Sequence, residues 1–341
     1  MLWDLLSESE RKIVMSIAFS QSYSDISRAT GLAPSYVSAR VKKLAKRARL
    51  RYLVDYRAIG LSPLYLLLKF DQRVYELLAS TQLPFIRSAV KIWDREGVKL
   101  LIEAAPPVGL ERRFAQIFPS PPVNAWVKEW EAKFQPSTSS LLDFSEGALS
   151  TSWSTLPQLV SELKRTGIDV QLKPTLDVDK VDLMILRMKE EFCFTSLSEI
   201  GRSYGLSQQL ASYHYRLHLR RVWIGNCIEH KHLENAVLYR VEASEPIVSH
   251  LLLKSLSEVP SIVDSFIPQG EDEVIYLIVD EPLKRLFAVH KALLHVEGVK
   301  KAELLAYIDA DGFIYHGLTA HLGLGKMGWM FEELEEELSK L

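Results

Sequence analysis

The feature that most constrains this chain is that its residues 24–57, SDISRATGLAPSYVSARVKKLAKRARLRYLVDYR, recur half a chain later as 198–221, SEIGRSYGLSQQLASYHYRLHLRR. Setting Gly31 against Gly205 also aligns Ser24 with Ser198, Ile26 with Ile200, Arg28 with Arg202, Leu32 with Leu206 and Ser38 with Ser212. Self-similarity at about half the chain length means a duplicated unit, because a solenoid would repeat at much shorter periods. In the first copy Ser24 or Asp25 can cap a short helix that Gly31 ends. Pro34 opens a second helix, where its missing N–H costs nothing. Val37, Val41 and Leu44 recur at helical spacing and form the expected buried seam. The other faces carry Arg40, Lys42, Lys43, Lys46, Arg47, Arg49 and Arg51, and no acid stands between Asp25 and Asp55. A helix, a Gly turn and a basic second helix make a helix-turn-helix, whose second helix can enter a DNA major groove.

The flanks repeat too. A first helix is expected over 5–19, with capping-box spacing between Ser7 and Glu10. After the basic helix, 50–56 alternates as a strand and makes a small wing. Strands are then expected at 64–70, 86–93, 99–105 and 123–134, with helices at 74–80 and 110–118. The second half repeats this order with a helix at 178–191, a wing at 222–228, strands at 236–243, 262–267, 274–279 and 299–308, and helices at 246–257 and 283–295. The order βαββαβ is that of a ferredoxin-like sandwich.

The resulting fold class is α+β: two winged helix-turn-helix domains, each followed by a ferredoxin-like βαββαβ domain. The boundaries are 1–60 and 61–135 for the first pair, 136–175 for a linker with a helix at 156–166 ended by Gly167, 176–233 and 234–312 for the second pair, and 313–341 for a tail with an acidic helix at 329–338. Leu141, Leu142, Phe144 and Trp153 suggest that the linker packs on something.

The 341 residues carry a formal net charge of −2, but the charge is uneven. Residues 1–60 hold eleven Lys/Arg against five Asp/Glu, whereas the last ten hold five Glu and one Lys. A local basic patch is what DNA binding requires. Cys193 and Cys227 alone cannot build a disulfide framework and fit a reducing cytoplasm. No apolar run approaches the ~18 residues of a membrane span, so no membrane partner is expected.

These motifs together resemble the leucine-responsive regulatory protein/AsnC family of transcription regulators. The resemblance rests on LSESERKI (6–13) and LDVDKVD (176–182) as domain openings, GLAPS (31–35) and RVKKL (40–44) in the recognition helix, and AIGL (58–61) at the wing exit. It covers nearly the whole chain, twice, apart from the linker and the tail. Relatives carry one such unit per chain and dimerise through the sandwich, so the duplication implies an intramolecular pseudo-dimer, open to further homodimerisation.

The family implies a sequence-specific transcription regulator with double-stranded DNA as partner, without catalytic activity or cofactor. Ser35, Tyr36 and Ser38 are the expected base readers, with Arg40, Lys42, Lys43, Lys46 and Arg47 on phosphates. In the second copy Gln208, Gln209 and Ser212 would read bases, with Arg216, Arg220 and Arg221 as phosphate clamps. Amino-acid effectors of the family bind near the sandwich turns, which here are Gly97 and residues 270–273.

Two other motifs carry less. His214 and His218 lie at i, i+4, and Cys227, His230 and His232 follow. Such spacings can hold zinc, but without a second Cys pair the expected roles are helix packing and a surface loop, and no metal site is assigned. GLGKMG (323–328) fits G-x-G-x-x-G but is followed by no further strand, so it reads as a glycine hinge. The alternative reading is an enzyme. Siroheme decarboxylases resemble the same architecture, in fused two-unit form as well, and imply a His-bearing tetrapyrrole site in the sandwich. The first sandwich has no His, and the second has His250, His290 and His295. An assembly scaffold without DNA affinity is a third reading.

Overall fold

The computed structural model describes residues 6–136, 142–143, 150–166, 175–326 and 328–341. Leu5, Leu141, Phe144, Gly167 and Met327 lie outside these. Helix α1 (Glu8–Ile17) begins with the expected capping box: Ser7 Oγ accepts from the Glu10 N–H at 3.3 Å, and Glu10 Oε2 accepts from the Ser7 N–H at 3.0 Å. Helix α2 (Tyr23–Thr30) starts earlier than expected. Ser22 is its cap, accepting from the Asp25 N–H at 3.2 Å, so Ser24 and Asp25 fall inside the first turn. Gly31 ends it with φ of 71°, a conformation that costs a residue with Cβ about 1 kcal/mol or more. Pro34 opens α3 (Pro34–Ala45), with Val37 and Val41 buried and Leu44 half-buried.

The chain continues through β1 (Ala48–Val54), β2 (Leu64–Lys69), α4 (Gln72–Ser80), β3 (Ile86–Asp94), β4 (Gly97–Ala104), α5 (Glu111–Gln116) and β5 (Asn124–Ala132). A two-residue pair, β6 (Leu142–Asp143) and β7 (Ser150–Thr151), precedes α6 (Leu156–Thr166). The second half runs α7 (Lys180–Glu191), α8 (Leu197–Tyr204), α9 (Gln208–His214), a π-turn over Tyr215–Leu219, α10 (Arg220–Val222) and β8 (Trp223–His230). There follow β9 (Ala236–Ala243), α11 (Pro246–Leu256), β10 (Ile262–Pro268), β11 (Val274–Asp280), α12 (Leu283–His295), β12 (Val299–Ile308), β13 (Ile314–Tyr315) and α13 (Glu332–Ser339). The protein is a mixed α+β chain rich in antiparallel sheet.

The chain divides into two compact units. The first joins Met1–Arg51, Glu129–Gln171 and Gly225–Tyr307. Its sheet has the order β12-β9-β11-β10, antiparallel throughout, with Leu238 opposite Ile278 and Val241 opposite Ile275. Strand alternation puts Val237, Tyr239, Val241, Ile275, Leu277 and Val279 in the core with Leu251 and Leu252 of α11 and Val289 and Leu293 of α12. Leu156 and Val160 of α6 close the same core, so the linker helix does pack. Each fully buried side chain of this kind stabilises by about 1.5–3 kcal/mol. The Asn226 amide of β8 donates to the carbonyls of Ile17 and Ser20 at 2.8 and 2.6 Å, which ties the end of α1 into this unit.

The second unit joins Tyr52–Lys128, Leu172–Ile224 and Ile308–Leu341. Within it β2 pairs with β4 and β5, β4 with β3, and β3 with β13, all antiparallel. The β3–β4 hairpin turns at the expected place, with Asp94 opposite Gly97. The α7–α10 helices are held to this unit by hydrogen bonds from the Tyr52 hydroxyl to Leu219 O at 3.1 Å and from the Leu176 N–H to Ala58 O at 2.6 Å. In the tail, Gly323 lies against the ring of Phe85, which also meets Trp329 and Phe331 with ring centroids 5.7 and 5.3 Å away. The glycine run thus serves packing as well as a turn.

Candidate functional site

The α3 face is basic, but part of its charge is matched within its own unit. Ser35, Lys42, Lys43, Lys46 and Arg47 are exposed, while Tyr36, Ser38 and Arg40 are half-buried. Glu10 of α1 lies 3.4 Å from the Arg40 guanidinium and 3.8 Å from Lys43 Nζ. The guanidinium also sits 4.9 Å from the centre of the Tyr36 ring. In the second copy Gln208, Gln209, Arg216, Arg220 and Arg221 are exposed and Ser212 is half-buried. Arg216 Nε donates back to Ser212 O at 3.2 Å.

The helical turns that follow α9 behave differently from α3. His214 Nδ1 lies 3.1 Å from Asp182 Oδ1, and His218 Nδ1 lies 2.8 Å from Asp182 Oδ2. Asp182 is wholly buried, His214 nearly so, and His218 about 29% exposed. Asp182 is placed by its own helix start: Asp179 caps α7 through bonds to the Val181 and Asp182 N–H groups, and Asp182 returns the bond to the Asp179 N–H at 3.1 Å. The π-turn widens the helix between the two imidazoles, whose ring centroids are 5.5 Å apart. Turns of this kind recur at functional sites because they re-aim a side chain without ending the helix. Lys189 of α7 donates to Cys193 O at 2.9 Å and faces the Tyr215 ring, and burial lowers its pKa to about 8. The spacing of His214 and His218 was visible in the sequence, but their partner was not. Asp182 stood out only as the end of the LDVDKVD opening, which gave no reason to couple it to residues 32 and 36 positions on. Cys227, His230 and His232 are not part of this constellation.

Further buried polar groups lie in each unit. In the second, the fully buried Arg87 pairs with Glu103 at 3.0 Å and Glu190 at 3.5 Å, and Lys128 pairs with Glu103 at 3.1 Å. The Tyr56 hydroxyl bonds to Glu190, and the Arg87 guanidinium lies 4.8 Å from the Tyr56 ring centre. His321 is also buried there. Burial, followed by the positive charges of Arg187 and Lys180, lowers its pKa to about 4. In the first unit Arg51 pairs with Glu229, and Lys133 with Asp264 at 3.3 Å. His250 of α11 is half-buried, with Nδ1 at 2.8 Å from Pro246 O and its ring edge-on to Trp130. His290 is half-buried beside the Tyr239 ring. His295 is exposed, with Nδ1 at 2.7 Å from Lys291 O. No helix among the described residues is long and apolar enough to cross a membrane.

No family model and no curated protein matches the chain. Among solved structures it is similar to the siroheme decarboxylase NirDL in complex with an iron-uroporphyrin III analogue. The TM-score is 0.53 at 10% identity, covering 98% of this chain and 99% of that one. The same enzyme without the analogue matches at a TM-score of 0.52 and 10% identity, over 98% of both chains. A transcriptional regulatory protein of the AsnC family from Pyrococcus furiosus overlaps 38% of this chain and 88% of its own, with 15% identity and a TM-score of 0.26, and carries no weight.

The full-length likeness overturns three expectations: a DNA-binding transcription regulator, a chain that is not an enzyme, and double-stranded DNA, an effector and a pseudo-dimer as its partners. The physical reason is that a basic face on paired helices is not specific for DNA: the full-length neighbours of this fold are an enzyme. In the second copy two side chains, at the end of α9 and in the π-turn after it, turn inward onto Asp182. What the likeness establishes for this chain is the fold.

Proposed function

We propose that this chain is an enzyme acting on an iron tetrapyrrole, of the siroheme decarboxylase type. The observation that carries the reading is that the structural correspondence runs end to end through both halves rather than over one module. The same reading takes α1–α3 with β1, and α7–α10 with β8, as winged helix-turn-helix modules. It takes β2–β5 and β9–β12, with their helices, as ferredoxin-like modules, and it keeps the boundaries 1–60, 61–135, 136–175, 176–233, 234–312 and 313–341. The exposed basic residues of α3 are then a solvated face.

One way in which a protein holds an iron tetrapyrrole is through an imidazole with an available ring nitrogen. His250 fits: its Nδ1 is directed at a helix carbonyl, which sets the tautomer and leaves Nε2 as the ligating atom, while Trp130 fixes the ring. His295 has the same Nδ1 bond but is exposed, and His290 lacks it. When bound, the macrocycle supplies a delocalised ring that can take up charge as a carboxyl group leaves. The protein's part is to orient the group, exclude water and return a proton to the carbon that loses carbon dioxide.

The test is an absorption titration of the full chain with siroheme and with iron-uroporphyrin III. The expected result is a saturable shift of the tetrapyrrole band, with His250→Ala weakening binding by at least about tenfold, the scale of a lost ligand contact. A wild-type chain that shifts neither spectrum would remove the reading. An unchanged His250→Ala would move the ligand elsewhere.

A further inference from the structure

Asp182, His214 and His218 are a set of donors for which the tetrapyrrole reading has no use. Each can offer a ligand atom such that all three atoms lie within 4.8 Å of one another. We propose that these side chains, joined by Asp179, form a binding site for a divalent transition-metal ion of the zinc class. The inference is independent of the tetrapyrrole reading.

Three observations carry it. The first is the donor set. Imidazole nitrogen and carboxylate oxygen together suit Zn²⁺ and its first-row neighbours, whereas Ca²⁺ and Mg²⁺ prefer oxygen alone. The second is the spacing. Zinc bonds of about 2.0–2.2 Å in a tetrahedron hold neighbouring ligand atoms roughly 3.3 Å apart. Here His218 Nδ1 is 2.8 Å from Asp182 Oδ2, His214 Nδ1 is 3.1 Å from Asp182 Oδ1, and Asp179 Oδ1 stands 3.5 Å from His214 Nδ1. Small side-chain adjustments bring these atoms around one ion. Asp179 is more than half exposed and can serve as the fourth ligand or give way to water.

The third is the backbone. The π-turn over Tyr215–Leu219 begins directly after His214 and contains His218, at the point where both rings reach a single carboxylate. Asp182 Oδ2 already accepts from the Asp179 N–H, so the carboxylate is held before any ion arrives. Each imidazole now directs Nδ1 at Asp182. Ligation by Nδ1 moves its proton to Nε2, which keeps the ring neutral and needs no other reactant. The partly exposed His218 marks the side from which an ion and a water ligand can enter.

The site is tested on chelator-treated full-length protein titrated with Co²⁺, followed by competition with Zn²⁺. The expected result is a single equivalent of Co²⁺ giving the visible bands of a four-coordinate ion, and displacement by Zn²⁺. His214→Ala with His218→Ala should weaken Co²⁺ binding by more than about 100-fold, beyond the ~10–100-fold that loss of an outer-shell partner produces. His250→Ala should leave Co²⁺ binding unchanged. X-ray absorption of the unmodified protein loaded with Zn²⁺ needs no variant to fold, and it should show imidazole and oxygen donors. Failure of the wild-type chain to bind Co²⁺ or Zn²⁺, bands that survive in the double variant, or a sulfur donor in the zinc shell would each overturn the proposal.

Discussion

Replacing Asp182 by Ala should destabilise the second unit more than any surface change, and the size of the effect follows from the geometry. The carboxylate is wholly buried and takes part in three hydrogen bonds, of 2.8 and 3.1 Å with His218 and His214 and of 3.1 Å with the Asp179 N–H. A hydrogen bond to a charged group contributes about 1.5–3 kcal/mol, and a buried polar group left without its partner costs about 1–3 kcal/mol. His218 is partly exposed and can recover its bond from water, so most of the loss comes from His214 and the helix start. The sum is about 3–5 kcal/mol, the range for breaking a buried pair from one side. For a unit of this size each kcal/mol moves the melting temperature by roughly 2–4 °C, so a drop of about 6–20 °C is expected.

Asp182→Asn keeps the volume but offers only one accepting oxygen, and should fall between Ala and wild type. Melting is followed by circular dichroism in a chelating buffer, so that no metal ion contributes. His214→Ala and the double variant with Asp182→Ala complete a cycle whose coupling should reach about 0.5–3 kcal/mol. A melting temperature for Asp182→Ala within about 2 °C of wild type, or a strictly additive double variant, would refute the reasoning.

Two further outcomes follow from the tail. Gly323→Ala places a Cβ against the Phe85 ring, so it should destabilise the fold by the ~1–3 kcal/mol of an overpacked site, seen as a lower melting temperature; an unchanged melt would mean that the tail is not held against Phe85. His321 has a folded pKa of about 4 against an unfolded value of 6.5, so it is neutral in both states only well above pH 6.5. Between those values the unfolded chain binds the proton and the folded chain does not, so stability should fall as pH drops from about 6.5 to about 4. His321→Gln should flatten that part of the urea-midpoint profile, and a profile with the wild-type slope would place the acid sensitivity elsewhere.

Much of the secondary structure was legible because its causes are local. The Ser7–Glu10 capping box, Gly31 at positive φ and Pro34 at a helix start each depend on neighbours a few residues away. The strands at 236–243 and 299–308 and the helix at 283–295 agree with expectation to the residue, since alternation and helical periodicity follow directly from which faces are buried. The cap of α2 is Ser22 rather than Ser24 or Asp25, because all three are competent caps and only the backbone selects among them. The linker helix spans its expected residues, while its place in the core with Leu251, Leu252, Val289 and Leu293 depends on contacts about a hundred residues distant.

Function was less legible for the same physical reason. A basic face on α3 can be read from its own residues, but its pairing with Glu10 depends on how α1 packs. His214 and His218 show their spacing in one helix, whereas Asp182 reaches them only once α7 crosses that helix. By itself the sequence determined that there are two related halves, each with helices followed by βαββαβ, because repeated caps, turns and periodicities are local properties. Only the tertiary structure decided which segments share a compact unit: the first helix triple with β9–β12, and the second with β2–β4. Two similar halves carry similar apolar faces, so either combination satisfies the same periodicities. The selection rests on long-range side-chain complementarity, such as Asn226 on the end of α1 and Tyr52 on Leu219, that no local pattern records.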